Sequence, residues 1–339
     1  QAIEGVKVEG NLMPWPQQKD IAITNFSAGS DAYDIVYANT DLMCLYANSG
    51  WIIPLDEYIE KYEEEFNFND IKPSVFKNLS WKDKVYIIPM VNNVIFLAYR
   101  ADLFEAAGLE PPKTIDEMIK AAAALTTEDR YGIAMGLLPG TGFINDFNYY
   151  LNTVGGRWFD EEMKPVFNDE YGVKALEVIK ELMQYAPPDT LTYYNDETTA
   201  ALQQDRAAMA LLWQSRALTM DDPNLSKVVG KIKFVPAPGL TSEKSGNAMV
   251  AHDGYGISAF TKHDPDLIFR VIAKATSEES IRKGAELILP ARMSVLEDPE
   301  LLEKHHSWPA ALKALETART QPIIPEWALL LETISRPLH

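Results

Sequence analysis

Residues 33–50 read YDIVYANTDLMCLYANSG, and this stretch holds the two kinds of element from which the fold is predicted. Its first part, Tyr33-Asp-Ile-Val-Tyr37, is rich in β-branched and aromatic residues and predicts a short strand. Asp41 then opens a helix as an N-cap carboxylate, and Gly50 ends that helix at the C′ position. A strand that leads directly into a helix is the basic unit of an α/β fold.

The same alternation of strand-like and helix-like segments continues on both sides of this stretch. Helices carry capping signals, such as the pair Thr114 and Glu117, in which a hydroxyl and a carboxylate satisfy each other's backbone amides. The pattern predicts an α/β fold with parallel sheets, and a length of 339 residues favours two domains. Further strands are predicted at Val6–Glu9, at 85–91 and 94–100 on either side of Asn92-Asn93, at 210–213, at 231–236 and at 254–258.

Composition excludes several classes of function. The chain has 31 Lys and Arg against 49 Asp and Glu, a net charge of −18, and no basic cluster that could neutralise a nucleic-acid backbone. Cys44 is the single cysteine, so the chain has neither an intrachain disulfide nor a cysteine cage for a metal. Gly-x-Gly-x-x-Gly, P-loop and Gly-x-Ser-x-Gly motifs are absent. We therefore expect no nucleic-acid partner, no metal and no cofactor.

Polar and aromatic residues stand where predicted strands end, and ligands of open α/β sheets bind at strand ends. Asn39 and Asp41 follow the strand of the opening stretch, Asn93 interrupts a strand, Trp213 closes one, and Asp253 precedes one. Carboxylates and amides suit vicinal hydroxyls, and an indole suits the C–H face of a sugar ring. Each residue also has a structural interpretation: an N-cap for Asp41, a turn for Asn93 and Asp253, and core packing for Trp213.

Eleven segments in order along the chain carry a family resemblance. They are 33–41 (YDIVYANTD), 49–56 (SGWIIPLD), 86–89 (YIIP), 97–104 (LAYRADLF), 111–118 (PPKTIDEM), 154–160 (VGGRWFD), 207–213 (AAMALLW), 227–234 (KVVGKIKF), 254–257 (GYGI), 289–295 (LPARMSV) and 325–327 (PEW). In these segments the chain resembles the family 1 extracellular solute-binding proteins, the sugar receptors of bacterial ABC importers that include maltose-binding protein.

This resemblance implies two Rossmann-like lobes with mostly parallel sheets, joined by hinge strands, in the periplasmic binding protein fold of type II. The first lobe is expected to comprise residues 1–96 and 250–295, and the second 97–249 and 296–339, with the ligand cleft between them. Compared with the family pattern, a strand and a helix before Val6 and helical residues after His339 are expected to be missing.

The resemblance also implies a set of cleft residues. Asp41 matches a position at which the family often has a carboxylate that accepts hydrogen bonds from sugar hydroxyls, and Asn93 matches a polar residue at a strand break. The full set of implied ligand-binding residues is Asp41, Asn39, Asn93, Asn145, Trp213, Asp253, Arg292, Trp15 and Trp327. No catalytic residue is implied.

The function implied is that of a non-enzymatic receptor. It would capture a monosaccharide, oligosaccharide or polyol as a monomer and deliver it to the permease of an ABC importer. It would act outside the cytoplasm, in the periplasm or on the cell surface through a lipid anchor that this sequence does not contain. Two alternatives stay open: a glycoside-active enzyme with a pair of cleft carboxylates about 5–10 Å apart, and a surface binding module without a transporter. The sequence leaves the identity of the sugar open.

Overall fold

The structure is a computed structural model that describes residue 3 and residues 5–338. Gln1 and His339, the outer limits of the two predicted lobes, lie outside the described residues. The strands are β1 (Ile35–Asn39), β2 (Ser80–Trp81), β3 (Lys84–Val85), β4 (Ile88–Arg100), β5 (Met209–Trp213), β6 (Ile232–Pro236) and β7 (Val250–Ile257).

Helices fill the segments between these strands. They are α1 (Trp15–Ser27), α2 (Thr40–Asn48), α3 (Asp56–Lys61), α4 (Glu63–Phe66), α5 (Pro73–Asn78), α6 (Ala101–Ala106), α7 (Ile115–Leu125), α8 (Thr141–Thr153), α9 (Glu170–Leu182), α10 (Asn195–Gln203), α11 (Pro265–Ala275), α12 (Glu278–Gly284), α13 (Met293–Leu296), α14 (Pro299–Lys304), α15 (Trp308–Leu315) and α16 (Trp327–Leu338). A 3₁₀ helix, Gln214–Asp221, follows β5 directly.

The strand β4 connects the two halves of the molecule. The main sheet has the order β1-β7-β4-β5, and β6 also pairs with β4. The first half of β4, from Ile88 to Val94, pairs with β7, whereas its second half, from Ile95 to Arg100, pairs with β5 and β6. One continuous strand therefore pairs with β7 along its first half and with β5 and β6 along its second half.

The second half of β4 is covered on both faces. Ile95, Leu97 and Tyr99 belong to one buried cluster together with helices α7, α8 and α9. The intervening residues, including Phe96 and Ala98, belong to another cluster that contains Trp308 of α15. Because side chains alternate between the faces of a strand, burial of every residue here requires helices on both sides of the sheet.

The first half of the molecule has its own cores. One cluster packs α1 and α2 against β1, with Tyr46 completely buried. Another packs α11 through Phe269 against Ile257 of β7 and Leu55. These cores hold β1 and β7 in place, and the residues at the ends of these strands depend on them.

The α/β architecture predicted from the sequence is present, but the strand pairing differs from the prediction. Every ladder between the strands named above is antiparallel. Parallel pairing occurs at isolated bridges, for example between Tyr131 and Ala207 and between Ala134 and Ala210. The parallel segments touch at single positions, whereas the long strands β4 and β7 run in opposite directions, so antiparallel ladders dominate.

Three predicted strands also need correction. The segments 85–91 and 94–100 form one strand from Ile88 instead of two, because the Asn92 side chain finds buried partners and the ladder with β7 continues through Asn93. Residues 6–9 form no strand, and the structure places no strand beside them within its described residues. Among all residues that the structure describes, no helix is long and apolar enough to cross a bilayer.

Gly254 gives a direct test of the central strand pairing. It lies between Ala38 of β1 and Pro89 of β4, and a Cβ atom at this position would lie 2.0 Å from the carbonyl oxygen of Ile88. We expect Gly254→Ala to lower the free energy of unfolding by more than about 2 kcal/mol, because the backbones of β4 and β7 would have to separate. Chemical denaturation followed by circular dichroism measures this change.

The matched control is Gly284→Ala, at the end of α12, where a Cβ atom would meet nothing within 4 Å. This variant should leave stability unchanged or raise it by up to about 1 kcal/mol. Equal stability of the two variants would contradict the close approach of β7 to β4.

Candidate functional site

A cavity of about 620 Å³ lies where β4 changes partners. Its lining combines carboxylates, amides, cations and aromatic rings from residues far apart in the sequence. The lining residues are Pro14, Trp15, Lys19, Tyr37, Asn39, Asp41, Leu42, Asn93, Thr141, Asn145, Tyr194, Asn195, Asp196, Trp213, Ser215, Arg216, Thr219, Met249, Ala251, Asp253, Ala328 and Leu331.

The turn from β1 into α2 supplies the first carboxylate. Asn39, not Asp41, caps α2: its Oδ1 accepts a hydrogen bond of 3.1 Å from the backbone N–H of Leu42. The Nδ2 of Asn39 donates to Oδ2 of Asp41 at 3.3 Å. The predicted N-cap role of Asp41 is therefore wrong, because Asn39 already satisfies the helix terminus. This leaves the Asp41 carboxylate to face the cavity.

Asp253 supplies the second carboxylate. It lies within β7 and not before it, and the strand register places it opposite Asn39. The hydroxyl of Tyr37 hydrogen-bonds to Asp253, and burial raises the pKa of Tyr37 above its usual range. The structure thus brings Asp41 and Asp253 together on one wall, although more than 200 residues separate them in the sequence.

Burial disfavours the charged form of both carboxyl groups. Burial raises the pKa of Asp41 to about 6, against opposing effects of the Asn39 hydrogen bond and the Lys19 charge. Burial, opposed by the Tyr37 hydrogen bond and assisted by the Asp41 charge, raises the pKa of Asp253 to about 7. Neither group forms a salt bridge within the described part of the chain. Donors from a ligand would therefore find strong acceptors here.

The opposite wall comes from α8, α10 and the end of β5. Asn145 lies on α8 and is 4% exposed, and Trp213 is the last residue of β5. Tyr194 precedes α10; burial and then the charge of Asp41 raise its pKa to about 12, so the two walls are electrostatically close. Arg216 is paired with Asp196 at 2.7 Å. This wall thus offers an indole, amides and an ion-paired cation.

Asn93 joins the two walls. It lies on β4 at the change of partners, and its Oδ1 accepts a hydrogen bond of 3.3 Å from the backbone N–H of Ser215. Trp15 lies at the start of α1 beside the cavity, and its ring meets that of Tyr37 edge-on at 5.7 Å. Seven of the nine residues implied by the resemblance therefore line one cavity: Trp15, Asn39, Asp41, Asn93, Asn145, Trp213 and Asp253.

Arg292 does not line this cavity, which corrects its predicted place in the cleft. Its side chain is 1% exposed and is held by the carbonyl oxygens of Thr276 at 2.5 Å and Asn67 at 2.8 Å. Asp70 lies 3.6 Å away and balances the charge. A buried guanidinium with these partners ties together distant segments, and its donors are directed at the protein.

Trp327 is also outside the cavity lining. Its ring is completely buried and meets that of Trp158 edge-on at 5.0 Å. The indole N–H donates to Oε1 of Gln321. The next residue on α16, Ala328, does line the cavity, so the sequence position is adjacent to the site while the indole packs in the core.

Several lining residues were not among those singled out from the sequence, including Lys19, Tyr37, Tyr194, Asn195 and Arg216. Arg216 is three residues beyond Trp213, and Tyr194 and Asn195 begin a helix, so proximity to a strand end or helix start was the available signal. Such signals are weak, because most strand and helix ends in a protein have no ligand.

A series of side-chain hydrogen bonds involves the neighbours of two cavity residues. Nδ2 of Asn78 is 3.1 Å from Nε2 of His252, whose Nδ1 is 2.9 Å from Oδ1 of Asn92. Nδ2 of Asn92 donates to the carbonyl oxygen of Pro290 at 2.8 Å. The Asn78 nitrogen donates to Nε2 of His252, and the Asn92 oxygen accepts from Nδ1, so His252 is neutral with its proton on Nδ1. Burial lowers the pKa of His252 to about 4. These hydrogen bonds fix the residues adjacent to Asn93 and Asp253.

A second cavity, of about 600 Å³, lies along β1 and α11. Its lining is mostly apolar and includes Leu12, Phe26, Ile35 and Ile272. It offers few groups for a polyhydroxylated molecule, so the first cavity is the better candidate site. No group of three or more metal-ligating side chains occurs in the described residues.

Residues 2–281 match the family model described as bacterial extracellular solute-binding protein. A probable amino-acid ABC transporter periplasmic-binding protein of Sinorhizobium fredii is 28% identical over 239 residues, which is 69% of this chain and 54% of that protein. The mannitol-binding protein of Pseudomonas aeruginosa is 27% identical over 249 residues, which is 72% of this chain and 55% of that protein. The chain thus spans just over half the length of these two relatives.

Solved structures share the fold over nearly the whole chain. An ABC transporter solute-binding protein of Agrobacterium radiobacter in complex with ribitol superposes with a TM-score of 0.88 at 26% identity, covering 97% of this chain and 84% of that one. The maltose-bound MalE3 of T. maritima superposes with a TM-score of 0.86 at 22% identity, covering 95% of this chain and 82% of that one. The predicted periplasmic binding protein fold is confirmed.

The buried carboxylate of Asp253 makes a pH-dependent contribution to the stability of the free protein. The folded-state pKa of Asp253, about 7, lies above its ordinary value of 3.8, so the folded state binds the proton more tightly than the unfolded state does. This group therefore lowers stability as pH rises from about 4 through 7. We expect Asp253→Asn to raise the free energy of unfolding by roughly 2–4 kcal/mol at pH 8, and by much less at pH 4.5.

Denaturant titrations of both proteins at the two pH values measure this difference. Asp129→Asn, at an exposed position, is the matched control and should change stability little at either pH. A stabilisation by Asp253→Asn that does not depend on pH would contradict the assigned burial of charge.

Proposed function

The chain belongs to the family of bacterial extracellular solute-binding proteins, and from this premise we propose that it is a receptor for a neutral monosaccharide, oligosaccharide or polyol. The observation that carries the proposal is the polar cavity at the change of partners in β4, with Asp41 and Asp253 on one wall and Trp213 on the other. Carboxylates accept hydrogen bonds from vicinal hydroxyls, and the indole packs against C–H groups. The ribitol and mannitol named for two similar proteins support this ligand class.

We further propose that the molecule has two lobes, residues 1–96 with 250–295 and residues 97–249 with 296–339. The change of partners in β4 between Val94 and Ile95 supports the first boundary, and the start of β7 at Val250 supports the second. A ligand that contacts both lobes stabilises the closed arrangement by its differential affinity for that state. The closed, loaded receptor would then be recognised by the permease of an ABC importer outside the cytoplasm.

Binding measurements test the proposal. Isothermal titration with ribitol, D-mannitol, maltose and a set of L-amino acids should give saturable binding with a polyhydroxylated compound, which should be recovered unchanged. Amino acids are included because of the activity named for the Sinorhizobium relative. Release of a sugar product would favour a glycoside-active enzyme with a carboxylate pair, and binding confined to amino acids would contradict the ligand class.

Two substitutions test the assigned walls. We expect Asp41→Asn to weaken binding of the best ligand by roughly tenfold to a hundredfold, because a charged acceptor is lost. Trp213→Ala should weaken it more than Trp213→Phe does, because the phenyl ring retains part of the apolar contact. Asp129→Asn controls for the change in net charge. Affinity unaltered in both Asp41→Asn and Trp213→Ala would remove these residues from the site.

A further inference from the structure

Three buried side chains connect the core to the cavity. Nε1 of Trp327 donates to Oε1 of Gln321, and Nε2 of Gln321 donates to Oδ1 of Asn145 at 3.3 Å. Their exposures are 0% for Trp327, 3% for Gln321 and 4% for Asn145. Asn145 is the only one of the three that lines the cavity.

The indole determines which atoms donate and which accept in these two hydrogen bonds. An indole nitrogen can only donate, so the Gln321 atom facing it must be the carbonyl oxygen. The Gln321 nitrogen then faces Asn145, and because that nitrogen donates, the Asn145 atom facing it must be Oδ1. The reversed orientation would put two donors against each other in a buried site, which is unfavourable.

The NH₂ group of the Asn145 side chain takes no part in this series of hydrogen bonds. Its Nδ2 has no hydrogen-bond partner in the described part of the chain, although the residue lines the cavity. Asn93 follows the same pattern, because its Oδ1 is occupied by the backbone N–H of Ser215. The two amides therefore offer N–H donors, whereas Asp41 and Asp253 offer acceptors.

We propose that Trp327 and Gln321 are positioning residues that hold Asn145 with its Nδ2 toward the cavity, so that the site requires a ligand oxygen that accepts a hydrogen bond at this point. The proposal rests on the proposed function for the identity of the site. It adds the direction of the hydrogen bonds: the ligand donates to the carboxylates and accepts from Asn145. Trp327 thereby affects recognition without touching the ligand.

Side-chain hydrogen exchange tests the orientation without any ligand. In protein labelled with ¹⁵N-asparagine, the NH₂ signals of Asn145 are identified by their disappearance in Asn145→Asp. In the wild type they should exchange with solvent rapidly, because the NH₂ group faces the cavity. In Gln321→Glu, a carboxylate accepts from Trp327 with one oxygen and requires a donor from Asn145 at the other. The Asn145 amide should then turn, and its NH₂ exchange should slow by roughly tenfold or more.

Slow exchange in the wild type that is unchanged in Gln321→Glu would overturn the proposal. Because a buried carboxylate can impair folding, Gln321→Met is a second, isosteric variant. It removes both hydrogen bonds, so the Trp327 indole N–H resonance, assigned with Trp327→Phe, should move upfield. A resonance that stays in place in Gln321→Met would also overturn the proposal. Gln184→Glu, at an exposed position, matches the charge change and should leave both signals unaltered.

Titration with D-mannitol then measures the effect on recognition. Gln321→Glu should weaken binding by about tenfold, and Gln321→Glu combined with Asn145→Ala should be little worse than Asn145→Ala alone, because both act on one hydrogen bond. Additive losses would contradict the positioning role. If the wild-type protein binds none of ribitol, D-mannitol and maltose, that result counts against the proposed ligand class, while the exchange measurement still decides the orientation of Asn145.

Discussion

The site depends on the close pairing of β4 with β7. These strands approach so tightly at Gly254 that no side chain fits between the Gly254 backbone and the Ile88 carbonyl oxygen. The pairing places Asn93 opposite Ala251, and the ladder on the other edge of β7, with β1, places Asp253 opposite Asn39. A slip of one residue would turn Asp253 away from the cavity and bring His252 toward it, because successive strand residues face opposite sides. The polar groups of the cavity are therefore a consequence of backbone packing.

Some buried charged groups in this molecule are ion-paired, and others are not. Arg292 is surrounded by carbonyl oxygens and by Asp70, and Arg100 is paired with Asp102 and Asp205, so their charges are balanced by the protein. Neither Asp41 nor Asp253 forms an ion pair with any described residue, and burial raises their pKa values to about 6 and about 7. A structure built for stability alone would not keep two such groups together. Unbalanced acceptors beside a cavity are the feature expected of a site completed by a ligand.

Local features of the sequence predicted local structure well. The strand and helix of residues 33–50 and the capping box at Thr114 and Glu117 are present, because their causes lie within a few residues. The roles of Arg292 and Trp327 could not be predicted, since each depends on a distant partner, Asn67 or Trp158, that only the tertiary structure brings into contact. The same holds for the proximity of Asp41 to Asp253, which depends on the register that places Asn39 opposite Asp253. Residue type indicated suitable chemistry, but burial and direction decided whether it serves the cavity or the core.

His252 and Asp253 are neighbours in β7 whose titrations oppose each other. His252 is held neutral, with its pKa lowered from 6.5 to about 4, so it lowers the stability of the folded state as pH falls through this range. Asp253, with its pKa raised from 3.8 to about 7, raises that stability as pH falls through nearly the same range. Their contributions to the slope of stability with pH therefore largely cancel between about pH 4 and 6.5. Acidification over this interval removes negative charge from the cavity while the hydrogen-bond chain of Asn78, His252 and Asn92 stays intact. The strands can thus keep one geometry while the charge presented to a ligand changes.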